Sequence, residues 1–160
     1  MDYLWSPWRY QYVQSAHSGS GCIFCRMAEE DDQKNFVVHR AERNFIVLNL
    51  YPYTSGHLMI VPYEHVDTLA GAAPETLQEM MLLAQQTQRH MSAIYRPAGF
   101  NLGMNLGESA GAGIVGHIHL HVLPRWPGDT SFITTVGETR VLPEDLAVTY
   151  GKLRAAFAGG

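Results

Sequence analysis

The chain has 160 residues, of which 46% are hydrophobic and 16% are charged, a balance typical of a soluble globular protein and not of a disordered or fibrous one. Its formal net charge of −4 argues against the wrapping of long nucleic acids, because that mode of binding depends on a broad basic surface that releases counterions. A small anion needs only a local group of donors, so this charge leaves its binding open.

The start of the chain and its hydropathy indicate a cytoplasmic protein. Residues 1–9 show no basic start followed by an apolar core, so they do not resemble a signal peptide. No apolar run approaches the roughly 20 residues needed to span a bilayer, so we expect no membrane partner. The sequence has no internal repeat and no low-complexity linker. We therefore predict one domain over residues 1–160, with an irregular arm at 1–35 and a core with a C-terminal extension at 36–160.

The first half of the core predicts three strands and a long helix. Residues 36–39 and 45–50 are rich in β-branched and aromatic side chains around a polar turn, a pattern that predicts a hairpin. A third strand follows at 57–62 and ends at its proline. Apolar residues at helical spacing from Pro74 to about Tyr95, with the proline in the first turn, predict the main helix.

The second half predicts two more strands and a last helix. One strand spans residues 100–106, and a glycine-rich connection leads to another at 117–123. The last helix opens near Pro143, because proline and acidic residues suit a first turn. Strands that follow one another through short turns usually pair antiparallel. The predicted fold class is therefore α+β, with a mainly antiparallel sheet of about five strands, a main helix and a C-terminal helix.

Three histidines alternate with apolar residues in the last predicted strand: His117, His119 and His121. A strand rises about 3.3 Å per residue, so these imidazoles should lie on one face, roughly 6 to 7 Å apart. An exposed polar face is one interpretation, but three histidines in alternation concentrate groups that titrate near neutrality. Neutral imidazole is a competent nucleophile toward phosphorus and needs no redox cofactor. A zinc site with three histidine ligands would use the same residue type.

The connection before this strand is rich in glycine, with five in fourteen residues: Gly103, Gly107, Gly111, Gly113 and Gly116. Glycine lets backbone N–H groups approach a phosphate and form an anion nest, although a flexible turn has the same composition. The connection joins a strand with Asn101 and Asn105 on one face to the histidine strand. An antiparallel register would then gather amides, backbone N–H groups and imidazoles around one pocket.

Cys22 and Cys25 form a Cys-x-x-Cys pair. The spacing alone is equally consistent with zinc binding, redox activity and buried thiols, since no βαβ context supports a thioredoxin-like motif. Two thiolates need two further ligands for a closed tetrahedral zinc site. His17, His39 and His90 fit no pattern, and we predict them to be surface residues.

Residues 117–123 (His-Ile-His-Leu-His-Val-Leu) resemble the defining motif of the histidine-triad (HIT) superfamily. The resemblance extends through Asn105-Leu106-Gly107, through Asn49 with Gly56-His57, and through the Cys-x-x-Cys pair, so it covers most of the chain. It implies a HIT-like fold, a nucleotide or dinucleoside polyphosphate substrate, a homodimer and no organic cofactor.

The resemblance also implies roles for individual residues. His119 looks like the nucleophile, and His121 and Asn105 look like phosphate contacts. Asn49 matches the position that meets the ribose, and His57 matches a fourth family histidine that orients the triad, of which His117 is the first member.

In the family, the nucleotide base lies against apolar side chains of the first sheet strands, which here implies Val47 and Met59. Many members place a glutamine shortly after Ala-Gly, whereas this chain has Ala-Gly-Ala-Gly at residues 110–113. Backbone N–H groups of the loop must therefore make more of the phosphate contacts, at Gly107, Gly111, Ala112 and Gly113.

His65 matches the position that, with the first triad histidine, completes a Cys2His2 site in zinc-containing members. The resemblance thus implies a zinc ion held by Cys22, Cys25, His65 and His117. Without these partners, His65 would be interpreted as an exposed loop residue. Four protein ligands leave no open position for water, so this zinc would be structural. It would anchor the N-terminal arm beside the histidine strand.

Residues 4–9 (Leu-Trp-Ser-Pro-Trp-Arg) and 124–130 resemble the branch of diadenosine polyphosphate phosphorylases and hydrolases. This implies a nucleotidyl transferase or hydrolase that cleaves dinucleoside polyphosphates such as Ap4A by double displacement, with phosphorolysis favoured. Arg125 either offers a fixed positive charge to phosphate or pairs with Asp129 on the surface. Three alternative functions remain open. They are a mononucleotide phosphoramidase or hydrolase of the same superfamily, a nucleotide-binding regulatory module with negligible turnover, and a zinc-dependent hydrolase with the three histidines as ligands.

Overall fold

The computed structural model describes residues 21–130, 134 and 141–159. The predictions for residues 4–9 and for His17 lie outside this part of the chain. The described helices and strands are, in chain order, α1 (Ile23–Glu29), α2 (Asp32–Asn35), β1 (Val37–Arg40), β2 (Asn44–Leu48), β3 (Leu58–Pro62), α3 (Pro74–Tyr95), β4 (Gly99–Gly103), β5 (Leu120–Arg125) and α4 (Leu146–Ala158).

The five strands form one sheet in the order β1-β2-β3-β5-β4, and each neighbouring pair is antiparallel. This confirms the predicted α+β class with a main helix and a C-terminal helix. Strand β4 is an edge strand, and β3 and β5 lie at the centre with Met59 opposite His121. None of the helices described is both long and apolar enough to cross a membrane.

Both faces of the sheet are covered by helices. Alternate side chains of β2 point to opposite faces, so the strand contributes to the core on each side. Ile46 and Leu48 pack with the buried residues of α3 and α4. Phe45 and Val47 pack on the other face with Phe24 of α1. We predicted an irregular arm over residues 1–35, and this prediction is wrong for α1. The segment is helical and completes the core on this face of the sheet.

Arg40 fixes the C-terminal end of α1 against the sheet. Its guanidinium donates to the carbonyl oxygens of Met27, Ala28 and Glu30 at 2.6 to 3.2 Å. It also pairs with the Asp32 carboxylate at 2.7 Å. Cations at a helix C-terminus complement the unpaired carbonyl groups there. The arm is thus joined to β1 by a polar contact as well as by its apolar side chains.

The two strands beside the glycine-rich connection are displaced from their predicted bounds. Strand β4 ends at Gly103 and not at residue 106, and β5 begins at Leu120 and not at residue 117. Pairing of β3 with β5 stops at Leu120, and β3 itself ends at Pro62, which has no N–H to donate. The backbone before Leu120 instead turns to the loop after β3, where the Ile118 N–H donates to the Val66 carbonyl at 2.8 Å.

His39 and His90 are not simple surface residues, contrary to our prediction. Both are half-buried against Phe157 of α4. The ring centroids lie 5.1 Å apart for His39 and 4.5 Å apart for His90. No sequence pattern pairs either histidine with Phe157, because the three lie on separate elements that only the tertiary fold brings together.

Candidate active site and metal cluster

A pocket opens where the loop after β2 and the glycine-rich connection meet the start of β5. Its lining residues are Asn49, Tyr51, Tyr53, Met59, Asn105, Gly111, Gly113, Ile114, His119 and His121. Seven of these were predicted from the sequence, but Tyr51, Tyr53 and Ile114 were not. Two tyrosines two residues apart, just after Asn49 in a turn, are the signal that could have revealed the first two.

Other predicted residues lie around this pocket and not in its lining. Val47 is fully buried in the core beside Met59. His57 and His117 are almost fully buried behind the pocket. Gly107 lies at the start of a short 3-10 turn in the glycine-rich connection.

The glycine-rich connection is closed by its own hydrogen bonds. The Gly111 N–H donates to the Glu108 carbonyl at 2.9 Å, and the Ala112 N–H donates to the Gly107 carbonyl at 3.3 Å. Gly107 and Gly111 have φ angles of +81° and +82°, values that favour glycine over any residue with a Cβ. The glycines thus shape the loop, and the N–H groups of Gly111 and Ala112 are engaged within it.

Asn49 lies where β2 and β3 separate. Its backbone N–H donates to the His57 carbonyl at 3.0 Å, and its side-chain oxygen accepts from the Tyr51 N–H at 2.9 Å. The side chain is therefore held beside the pocket, with its amide nitrogen 3.5 Å from His57 Nε2. A carboxamide in this position can bond a sugar hydroxyl.

His119 is held by a hydrogen bond from its ring to a backbone carbonyl two residues earlier in the chain. Its Nδ1 lies 3.0 Å from the His117 carbonyl oxygen. Since a carbonyl only accepts, Nδ1 carries the proton and Nε2 keeps its lone pair. Burial lowers the pKa of His119 below its ordinary value, although the bond to the His117 carbonyl acts in the opposite direction. The imidazole is therefore neutral near pH 7 and available as a nucleophile.

His121 is oriented by a relay that starts from the backbone. The Tyr53 N–H donates to His57 Nδ1 at 3.1 Å, so in neutral His57 the proton lies on Nε2. That nitrogen is 2.9 Å from His121 Nδ1 and donates to it. His121 therefore carries its own proton on Nε2. Two histidines of opposite character thus line the pocket, with a lone pair on His119 and an N–H donor on His121.

The spacing of these two histidines differs from the prediction. Their ring centroids lie 4.9 Å apart and the rings are nearly perpendicular, at 76°. We expected a larger, strand-like separation on one flat face. The difference arises because His119 precedes β5, so the regular rise of a strand does not apply to it.

The four predicted metal ligands come together: the ligand atoms of Cys22, Cys25, His65 and His117 all lie within 4.8 Å of one another. Cys22 Sγ is 3.3 Å and Cys25 Sγ is 3.7 Å from His117 Nδ1, and Cys25 Sγ is 3.2 Å from His65 Nδ1. Ligand atoms of a tetrahedral zinc site lie roughly 3.3 to 3.8 Å apart, given zinc–ligand bonds of about 2.0 to 2.3 Å. The cluster therefore fits a four-coordinate metal ion.

The tautomer of His117 suits this cluster. Its Nε2 lies 2.9 Å from the Pro62 carbonyl oxygen and donates to it, which leaves the Nδ1 lone pair directed at the thiols. A second hydrogen bond of this kind is the usual partner of a metal-binding histidine. His117 thus belongs to the metal cluster through its side chain and to the pocket through its carbonyl, which holds His119.

Arg125 forms the surface ion pair that was one of its two predicted alternatives. Its guanidinium contacts Asp129 at 2.5 and 2.8 Å and the Asn101 side chain at 2.6 Å. Asn101 is exposed on β4 and does not share a face with Asn105, contrary to our prediction, because β4 ends at Gly103. Neither Arg125 nor Asn101 lines the histidine pocket.

Comparison with known proteins agrees with this architecture. The sequence model of the HIT domain family matches residues 30–128, more than half of the chain. A protein named AP-4-A phosphorylase, from Mycobacterium tuberculosis strain H37Rv, is 38% identical over 163 residues, which cover 97% of this chain and 84% of that protein.

Two solved structures are similar over most of their length. A Zn-bound histidine triad family protein from Mycobacterium smegmatis has a TM-score of 0.70 and 30% identity, and the match covers 87% of this chain and 94% of that one. A hypothetical histidine triad nucleotide-binding protein from Sulfolobus tokodaii has a TM-score of 0.69 and 25% identity, covering 86% and 93%. The chain belongs to the HIT domain family.

Proposed function

We propose that this protein is a nucleotidyl transferase or hydrolase that cleaves dinucleoside polyphosphates, with His119 as the residue that carries the nucleotidyl group. The observation that supports this best is the pair of opposed imidazoles, in which His119 offers a lone pair and His121 offers an N–H to one pocket. The 38% identity to a protein named AP-4-A phosphorylase favours the substrate class.

In the proposed reaction, Asn49 holds a ribose and the base lies against Met59. Asn105, Gly113 and His121 hold the phosphates. His119 Nε2 attacks the α-phosphorus in line with the leaving polyphosphate: the N–P bond forms as the bond from phosphorus to the bridging oxygen breaks. The N–H of His121 offsets the charge that develops on oxygen.

In the second half of the reaction, an oxygen of phosphate or water attacks the same phosphorus. The N–P bond breaks, and its electron pair returns to His119. The nucleotide leaves with the attacking oxygen. Because this chemistry is a double displacement at phosphorus, it requires no electron transfer and no organic cofactor.

We propose zinc as the ion of the Cys22, Cys25, His65 and His117 cluster, in a structural role. Two sulfur and two nitrogen ligands suit zinc, and the similar Mycobacterium smegmatis protein is described as Zn-bound. When bound, the ion would supply only coordination that holds α1 beside His117, since its four ligands are all protein atoms.

The zinc-dependent hydrolase considered above loses support from the same contacts. In that alternative, all three triad histidines would converge on one ion. His117 Nδ1 is instead directed at the thiols, and His121 Nδ1 accepts from His57. These two side chains have different partners, so they do not form a shared metal site with His119.

We also propose that the chain forms a homodimer and that residues 1–160 are a single domain. Strand β4 ends the sheet, and its Leu102 side chain is 44% exposed. An edge strand with exposed apolar side chains is a surface that proteins usually cover. Light scattering of the purified protein would test the dimer directly.

The products of Ap4A cleavage would test the proposed function and separate phosphorolysis from hydrolysis. With millimolar phosphate, we expect ADP and ATP, because phosphate resolves the adenylyl-His119 intermediate, whereas water would release AMP and ATP. Arg125 is paired with Asp129, so the preference for phosphate rests on the family resemblance and on the named relative. Chromatography that found AMP and ATP at all phosphate concentrations would rule out phosphorolysis. An absence of any cleavage would contradict the whole proposal.

The pH dependence of the first step should reflect the burial of His119. Its neutral form is the nucleophile, and its pKa is lowered from 6.5 by burial. We therefore expect the rate constant for intermediate formation, measured with enzyme in excess, to remain above half of its plateau value at pH 6.5. It should fall to half only at lower pH, where half of the His119 rings are protonated. A half-maximal rate at pH 6.5 or above would contradict this expectation.

A further inference from the structure

Phe24 is a buried aromatic residue that contacts both the metal cluster and the proposed nucleophile. It lies on α1 between Cys22 and Cys25, and its side chain is 1% exposed. Its ring centroid is 5.4 Å from that of His117, in an edge-to-face arrangement at 71°, and 5.1 Å from that of His119, at 52°. Both are distances at which aromatic rings pack in contact.

The hydrogen bond from His119 to the His117 carbonyl does not by itself fix the His119 ring. It restrains Nδ1, but the ring can still rotate about its side-chain torsions and move Nε2 in the pocket. The neighbouring rings of Phe24 and His121 limit that rotation. We infer that Phe24 is a positioning residue that sets the direction of His119 Nε2, and that the metal cluster acts on the reaction through it. This inference rests on the proposed role of His119.

The position of Phe24 is determined by contacts at both ends of α1. At the N-terminal end, Cys22 and Cys25 approach His65 and His117. At the C-terminal end, Arg40 binds the last carbonyl groups of the helix. A change in the metal cluster would therefore shift Phe24 relative to His119.

The same helix supports a second wall of the pocket. Ile114, which lines the pocket, packs on the apolar cluster that contains Phe24, Cys22 and Ile23. The metal-binding end of α1 thus lies behind both the nucleophile and the glycine-rich connection. This placement accounts for a metal cluster beside a reaction that uses no metal ion.

A comparison of Phe24→Leu with Phe45→Leu would test the inference. Phe45 is a fully buried member of the same cluster, but its aromatic neighbour is Tyr63, at 5.4 Å, and not a histidine. Both substitutions remove the same atoms from the core, so both should lower the melting temperature. Metal analysis should find equal metal in both variants and in the parent protein.

Only Phe24→Leu should alter catalysis. Small displacements of a reacting group reduce rates by up to about a hundredfold, so we expect kcat to fall between about tenfold and a hundredfold. KM and the dissociation constant for AMP should stay within about threefold, because the ring does not line the pocket. Phe45→Leu should keep kcat within about twofold of the parent. An unchanged kcat in Phe24→Leu, or an equal fall in both variants, would overturn the inference.

A spectroscopic measurement gives a readout other than activity. In ¹⁵N-histidine-labelled, metal-loaded protein, Phe24→Leu should shift the ring signals of His119 but not those of His57, and Phe45→Leu should shift neither. If Phe24→Leu does not fold, Phe24→Met and Phe45→Met replace the pair. Failure of the proposed function has a different result: the parent protein would then form no adenylyl-His119 at all. Failure of this inference alone leaves that intermediate forming at equal rates in the parent and in Phe24→Leu.

Discussion

His119→Ala should abolish turnover of Ap4A while leaving nucleotide affinity within about tenfold. The Nε2 of His119 forms a bond only as the reaction proceeds, so its loss removes an interaction of the transition state and not of the bound nucleotide. Loss of a nucleophile commonly lowers kcat by about 10,000-fold or more. The measurements are the steady-state rate and the calorimetric affinity for AMP.

His39→Ala is a suitable control, because His39 is half-buried against Phe157 and lies on β1, three strands from β5 in the order of the sheet. It should keep the activity of the parent protein. His119→Gly with an added adenosine 5′-phosphorimidazolide should regain some turnover, since the small molecule brings the N–P bond that the variant cannot form. Activity near the parent level in His119→Ala would exclude the covalent mechanism.

The elements that could be predicted are those in which apolar residues recur at strand or helix spacing over several residues. In β2, Phe45 and Val47 face one way and Ile46 and Leu48 the other, so the strand follows from its β-branched and aromatic composition. Helix α3 is long enough for its apolar spacing to be clear, and Pro74 begins it. Local preference and tertiary contacts agree in both elements.

Helix α1 and the start of β5 could not be predicted for physical reasons. Helix α1 has seven residues and its N-cap, Cys22, makes no side-chain capping bond, so it lacks the usual signals of a helix start. The alternation of histidines begins at His117, before the start of β5 at Leu120, and the pattern cannot show where pairing stops. That point depends on Pro62, 58 positions before Leu120 in the sequence.

The residue types of the pocket could be predicted, but their protonation pattern could not. The histidines, Asn49 and Asn105 were visible as a family pattern. That His117 holds His119 by a carbonyl group, and that the Tyr53 N–H sets the tautomer of His57, are backbone contacts. No side-chain pattern reports such contacts, because every residue type offers the same carbonyl, and every type except proline offers the same N–H.

Removal of the metal should lower the free energy of unfolding by more than it raises the activation free energy of the reaction. Protein purified without chelator should contain about one zinc ion per chain, and His65→Ala should lose it. His65 is exposed and does not line the histidine pocket, so this substitution disturbs the cluster with little direct effect on the core. His39→Ala, which removes a histidine outside the cluster, should retain the metal.

The size of the stability loss follows from linkage between binding and folding. An ion that binds only the folded chain stabilises it by about 4 kcal/mol when its free concentration is about 1,000 times its dissociation constant. For a chain of this length, that loss corresponds to a fall in melting temperature of about 10 °C. We expect kcat of His65→Ala, measured well below its melting temperature, to fall by only about tenfold, equivalent to about 1.4 kcal/mol. The fall arises because the packing of Phe24 loosens, and it is small because His119 keeps its bond to the His117 carbonyl. Metal analysis that found no ion in the parent protein would exclude the site, and an unchanged melting temperature after metal loss would exclude its structural role.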